Sequence, residues 1–164
     1  MEKQLRKQQN RLADAGWGTI LFGIWSVIKV NMYLGLSSSF VSELHREAEN
    51  LGEIKDVVLG FFWFVFAMIL VFYLVVRSYI GMAAMAEGKG KKKGYGYLIV
   101  TAGLVVMTLM DIWNIYIEDY LANRQDITMN LITGFCLELA SLYVLLEVLV
   151  AGLRVKQLKK KRKE

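Results

Sequence analysis

From Phe61 to Val76 the chain reads FFWFVFAMILVFYLVV, without a single charged residue. On a helix such a run is apolar on every face, so it has no side that prefers water. The enclosing block, Val57–Ile80, has the length of about 20 residues that a bilayer's hydrocarbon core demands. Lipid is therefore the natural solvent for this segment.

Three further apolar blocks follow the same rule: Gly16–Leu36, Tyr97–Ile117 and Ile127–Leu153. With Val57–Ile80 they use up most of the 164 residues, so the chain is expected to be one transmembrane domain over residues 1–164. The hydrophobic share of 55% exceeds the soluble average of roughly 45–50%. The first block is the least apolar, because Lys29 and Asn31 interrupt it. A cleaved signal peptide is its alternative, with Arg11 before it and Gly35 and Ser37 after it; Lys29 inside the apolar stretch argues for a span. There is no proline, so no span is kinked by the commonest cause.

Charge orients the spans. Lys3, Arg6, Lys7 and Arg11 precede the first, and Arg77, Lys89, Lys91, Lys92 and Lys93 border the middle connection. Arg154, Lys156, Lys159, Lys160, Lys161, Arg162 and Lys163 follow the fourth. The other connections collect acids: Glu43, Glu47, Glu49, Glu53, Asp56, Glu118, Asp119 and Asp126. Short basic segments stay in the cytoplasm, which predicts a multipass protein of the cell membrane with both termini and the middle connection on the cytoplasmic side. The fold expected is all-α: a four-span antiparallel helix bundle with a short amphipathic helix in the outer loop. That loop helix is read from Phe40, Val41, Leu44, Ala48 and Leu51, with Gly52 placed to stop it.

The basic segments face the anionic cytoplasmic leaflet, so anionic lipids are expected partners and nucleic acid is not. GKGKKKGYG over Gly88–Gly96 lacks the spacing of a phosphate-binding loop and no strand precedes it. It is read as a flexible basic turn.

Ionisable groups within spans are costly, about 2.5–3.5 kcal/mol each at mid-membrane, and call for partners. A helical rise of about 1.5 Å per residue puts Lys29, Asp111 and Glu138 roughly 10, 9 and 16 Å from the outer surface. They are expected to meet in the outer half of the bundle, with Asn31 and Asn114 completing the hydrogen bonds. Asp111 shares a helical face with Thr108, Asn114 and Glu118, and Glu138 shares one with Gly134 and Ser141. One cation against two acids leaves a surplus carboxyl to hold a proton or a small cation. The competing expectation is purely structural: Lys29 snorkels outward, and the acids serve only to set helix register. Glu147 projects from the opposite face, at the depth of Arg77, and is expected to pair with Arg77 or Arg154 as an interhelical latch.

No cofactor or metal is expected. His45 is alone in the outer loop, no span carries a histidine, and the lone Cys136 has no disulfide partner. The aromatic residues Phe61, Phe62, Trp63, Phe64, Phe66, Phe72 and Tyr73 ring the second span for packing and lipid contact, and Trp17, Trp113, Tyr116 and Tyr120 suit the interfaces. No catalytic motif is present. The leading expectation is a non-enzymatic scaffold, accessory or self-associating subunit. The second is a small oligomeric transporter or channel built on Lys29, Asp111 and Glu138.

Overall fold

The computed structural model describes residues 2–36, 38–49, 52–114 and 129–162, and among these there is no strand. Among the described residues, five α-helices follow one another: α1 (Glu2–Leu36), α2 (Ser38–Glu49), α3 (Lys55–Gly88), α4 (Gly96–Asp111) and α5 (Met129–Lys161). A short 3-10 turn, Gly52–Ile54, leads into α3, and a π-type turn over 112–114 extends α4. Among the described residues, three helical segments are long and apolar enough to cross a membrane: Lys55–Gly88, Gly96–Asn114 and Ile132–Lys161.

The helices outrun the apolar blocks. α1 starts 14 residues before Gly16, α3 continues eight past Ile80, and α5 continues eight past Leu153. Lipid depth sets where apolar side chains stop, but the backbone ladder can continue wherever no proline or glycine ends it. The basic tail is therefore helical to Lys161, and the middle connection shrinks to Lys89–Tyr95. A helix forms where the apolar spacing predicts one: α2 runs Ser38–Glu49, and Gly52 follows at φ +60°, a conformation that suits glycine. Nearby, Lys55 Nζ lies 3.5 Å from Glu49 Oε1 at the surface.

Two compact units divide the chain within α1 and α3: Met1–Ile20 with Ser78–Glu164, and Leu21–Arg77. The first holds most of the core. On α1, Leu5, Leu12, Ala15 and Thr19 are buried at helical spacing, as are Ile80, Ala83 and Ala84 on α3. Val105 and Ile112 of α4 pack with Leu142 and Leu145 of α5, with Leu104, Phe135 and Leu149 around them.

Small residues set the closest approach in this unit. A Cβ on Gly81 would sit 2.6 Å from the Gly16 carbonyl oxygen and 2.5 Å from Ile20 Cγ1. A Cβ on Gly88 would sit 2.6 Å from the Gln9 carbonyl oxygen. Ascending residues of one helix thus meet descending residues of the other, backbone against backbone. Between apolar helices in lipid, close van der Waals packing of this kind replaces the hydrophobic driving force.

The second unit is largely apolar surface. Phe61, Phe64, Phe72 and Val57 are each at least 62% exposed, as expected for side chains whose solvent is hydrocarbon. The rings of Phe62, Trp63 and Phe66 pack on one another, with centroids 5.6–6.5 Å apart.

Candidate functional site

The strongest concentration of buried charge lies in the first unit, where α3 ends, α4 begins and the C-terminal turns of α5 pass. Glu87, in the last turn of α3, is 1% exposed. Its Oε2 accepts a 2.7 Å hydrogen bond from the Tyr97 hydroxyl and lies 3.3 Å from Lys156 Nζ. Its Oε1 lies 3.6 Å from Lys159 Nζ. Lys156 and Lys159 are three residues apart on α5 and so project from one face. Burying a carboxylate requires such a complete set of partners.

Lys156 does more than neutralise Glu87. Its ammonium donates to the carbonyl oxygens of Lys93 (2.7 Å) and Gly94 (3.1 Å), and sits 4.4 Å above the Tyr95 ring and 5.6 Å from that of Tyr97. The connection Lys89–Tyr95 is thereby tied to α5, with Gly90 taking φ +87°. The basic turn thus has defined contacts to α5 at Lys93 and Gly94. Gly152 completes the arrangement: a Cβ there would fall 2.7 Å from the Tyr97 hydroxyl oxygen, so only glycine lets the ring lie against α5.

Several helix hydroxyls are satisfied locally, whereas the buried Ser141 Oγ has no hydrogen-bond partner among the described residues. Thr19, Thr101 and Thr108 donate to the carbonyl four residues earlier, at 2.9, 2.6 and 2.9 Å. This keeps polar side chains tolerable in an apolar helix.

The residues expected to form an outer polar centre divide between the units. Asp111 ends α4 and Glu138 lies half-buried on α5, close enough for their charges to interact. Thr108, Gly134 and Ser141, expected on the same faces, are all buried. Asn114 is exposed in the π-type turn, and Glu118 lies outside the described residues. Lys29 and Asn31 belong to the second unit, where the Asn31 amide donates 2.8 Å to the Val27 carbonyl of its own helix. Arg77 is 1% exposed, its guanidinium 5.1 Å from the Tyr73 ring centroid. Its Nε and Nη1 have no hydrogen-bond partner among the described residues. Glu147 is half-buried and Arg154 exposed on α5.

Neither Glu87 nor Lys156 stood out from local pattern. One signal was present: Glu87 is the sole acid between Asp56 and Asp111, set at the edge of a lysine run. An isolated acid among cations is a candidate for a specific partner.

These features define an all-helical protein with the helices of a membrane protein and a charged knot joining three of them. Comparison with family models, with curated proteins and with solved structures found no match to the chain.

Proposed function

We propose that the chain crosses the cell membrane four times as an antiparallel helix bundle, with both termini and the Lys89–Tyr95 connection in the cytoplasm. In it the protein serves as a non-enzymatic scaffold or accessory subunit that associates with itself or with another membrane protein. The observation that carries this role is the use made of Glu87. Its carboxylate is spent on Tyr97, Lys156 and Lys159, an arrangement that holds helix ends together and leaves no acid free there for proton transfer. Lipid is the first partner, with acidic lipids at the basic face.

Topology is tested by single-cysteine labelling in a Cys136→Ser background. A membrane-impermeant maleimide added to intact cells should label His45→Cys, and should label Lys3→Cys, Lys92→Cys and Lys160→Cys only after permeabilisation. Labelling of Lys3→Cys from outside removes the four-span arrangement. Chemical crosslinking in membranes should give a defined dimer or larger species, or a constant partner; a monomer at all crosslinker concentrations removes the scaffold role.

The charge interaction between Asp111 and Glu138 favours one other function, a small oligomeric transporter or channel for a proton or small cation. Asp111→Asn and Glu138→Gln should then abolish a cation or proton flux in proteoliposomes while leaving the folded fraction intact. Flux equal to that of empty liposomes for the parent protein ends this alternative.

A further inference from the structure

The lysine-rich end of the first unit carries far more positive charge than its fold consumes. Glu87 supplies one carboxylate to two ammoniums, those of Lys156 and Lys159. No other acid occurs from Gly88 to Met110 or from Val148 to Lys163. Against this stand Lys89, Lys91, Lys92 and Lys93, all exposed. Lys160, Lys161 and Arg162 on the last turns of the chain are exposed as well. Tyr95, in the same connection as Lys89, Lys91, Lys92 and Lys93, is 62% exposed.

Geometry adds what composition cannot. Lys156 donates to the carbonyl oxygens of Lys93 and Gly94 and lies against the Tyr95 ring, which ties the connection to α5. A surface ordered beforehand loses less entropy when it binds, so its lysines act together. The connection also joins two helical segments that are each long and apolar enough to cross a membrane. On the four-span arrangement proposed above, on which this inference rests, it lies at headgroup depth, where an amphipathic tyrosine ring settles.

We propose that the clamped connection Lys89–Tyr95 is a docking surface for the phosphate-bearing headgroups of acidic phospholipids, with Lys91, Lys92 and Lys93 as the contacting cations and Tyr95 as the interfacial anchor. Lys156 is a positioning residue that holds the surface in shape from behind. Free phosphate shares the headgroup's chemistry but not its dense array of charges, so a surface of spaced lysines favours the lipid.

The test is thermal unfolding of the full chain in neutral detergent micelles at low salt. Added phosphatidylglycerol should raise the midpoint, phosphatidylcholine should not, and inorganic phosphate at equal concentration should give less than half the rise. The triple variant Lys91→Gln, Lys92→Gln, Lys93→Gln alters only exposed side chains. It should keep the lipid-free midpoint and lose at least half of the rise with phosphatidylglycerol. Equal rises with both lipids, a full rise with phosphate or with a DNA oligonucleotide, or an undiminished rise in the variant each overturns the proposal. Cysteine labelling reads the topology separately, so failure of the four-span arrangement is distinguishable from failure of lipid docking.

Discussion

The Tyr97 hydroxyl donates a 2.7 Å hydrogen bond to Glu87 Oε2, tying the first turn of α4 to the last turn of α3 across a connection that carries Lys89, Lys91, Lys92 and Lys93. The bond and the two ammoniums from α5 act as one unit.

Loss of either partner should therefore be costly, and unequally so. Tyr97→Phe removes a hydrogen bond to a charged group, worth about 1.5–3 kcal/mol. Glu87→Gln leaves two ammoniums facing a neutral amide and should cost about 3–5 kcal/mol, the range for breaking a buried ion pair. Chemical unfolding in mild detergent measures both. A Glu87→Gln protein as stable as the parent would show that the knot does not hold the helix ends.

Glycines make a paired forecast, because the same substitution should act in opposite directions. Gly60 and Gly103 have open space where a Cβ would go, so Gly→Ala there should stabilise by up to about 1 kcal/mol through helix propensity. Gly81→Ala drives a methyl into the Gly16 carbonyl and should destabilise by about 1–3 kcal/mol, since backbone cannot swing aside. Equal stability changes at Gly60 and Gly81 would mean that α1 and α3 do not approach as closely as described.

At Gly152 the consequence reaches the charged knot. Gly152→Val pushes on the Tyr97 ring and should shift its hydroxyl away from Glu87. The stability loss should be smaller when Tyr97→Phe is already present, because part of what it destroys is already gone. Strict additivity in this double-mutant cycle would separate Gly152 from the knot.

Lys156 is predicted to order the connection. Lys156→Gln removes the ammonium from the Lys93 and Gly94 carbonyls and from the Tyr95 ring. Amide hydrogen exchange over residues 89–95 should accelerate at least tenfold, with α4 and α5 protected as before. Unchanged exchange would mean the connection is held by something else.

Lipid exposure has its own readout. Trp17, Trp25, Trp63 and Trp113 are 37–59% exposed. In vesicles containing brominated acyl chains their fluorescence should be strongly quenched, whereas a water-soluble quencher such as iodide should have little effect. The reverse pattern would place these rings in water.

Much was legible residue by residue. The uncharged run Phe61–Val76 is a local property, and it specifies helix and solvent together. The helix Ser38–Glu49 followed from the spacing of apolar residues. Helix ends were less legible, because hydropathy reports where lipid ends while the hydrogen-bond ladder continues to Gly88 and Lys161.

What pattern alone did not disclose was which charges meet. Depth counting set Lys29, Asp111 and Glu138 at comparable levels but carries no information on helix rotation. It did not single out Glu87, whose partners come from α4 and α5 at separations of 10, 69 and 72 residues. Composition along a chain determines the solvent each segment needs. Only the packing of α3, α4 and α5 decides that a buried carboxylate is met by a tyrosine and two lysines, because rotation and approach of helices depend on side chains such as Gly152 that carry no charge at all.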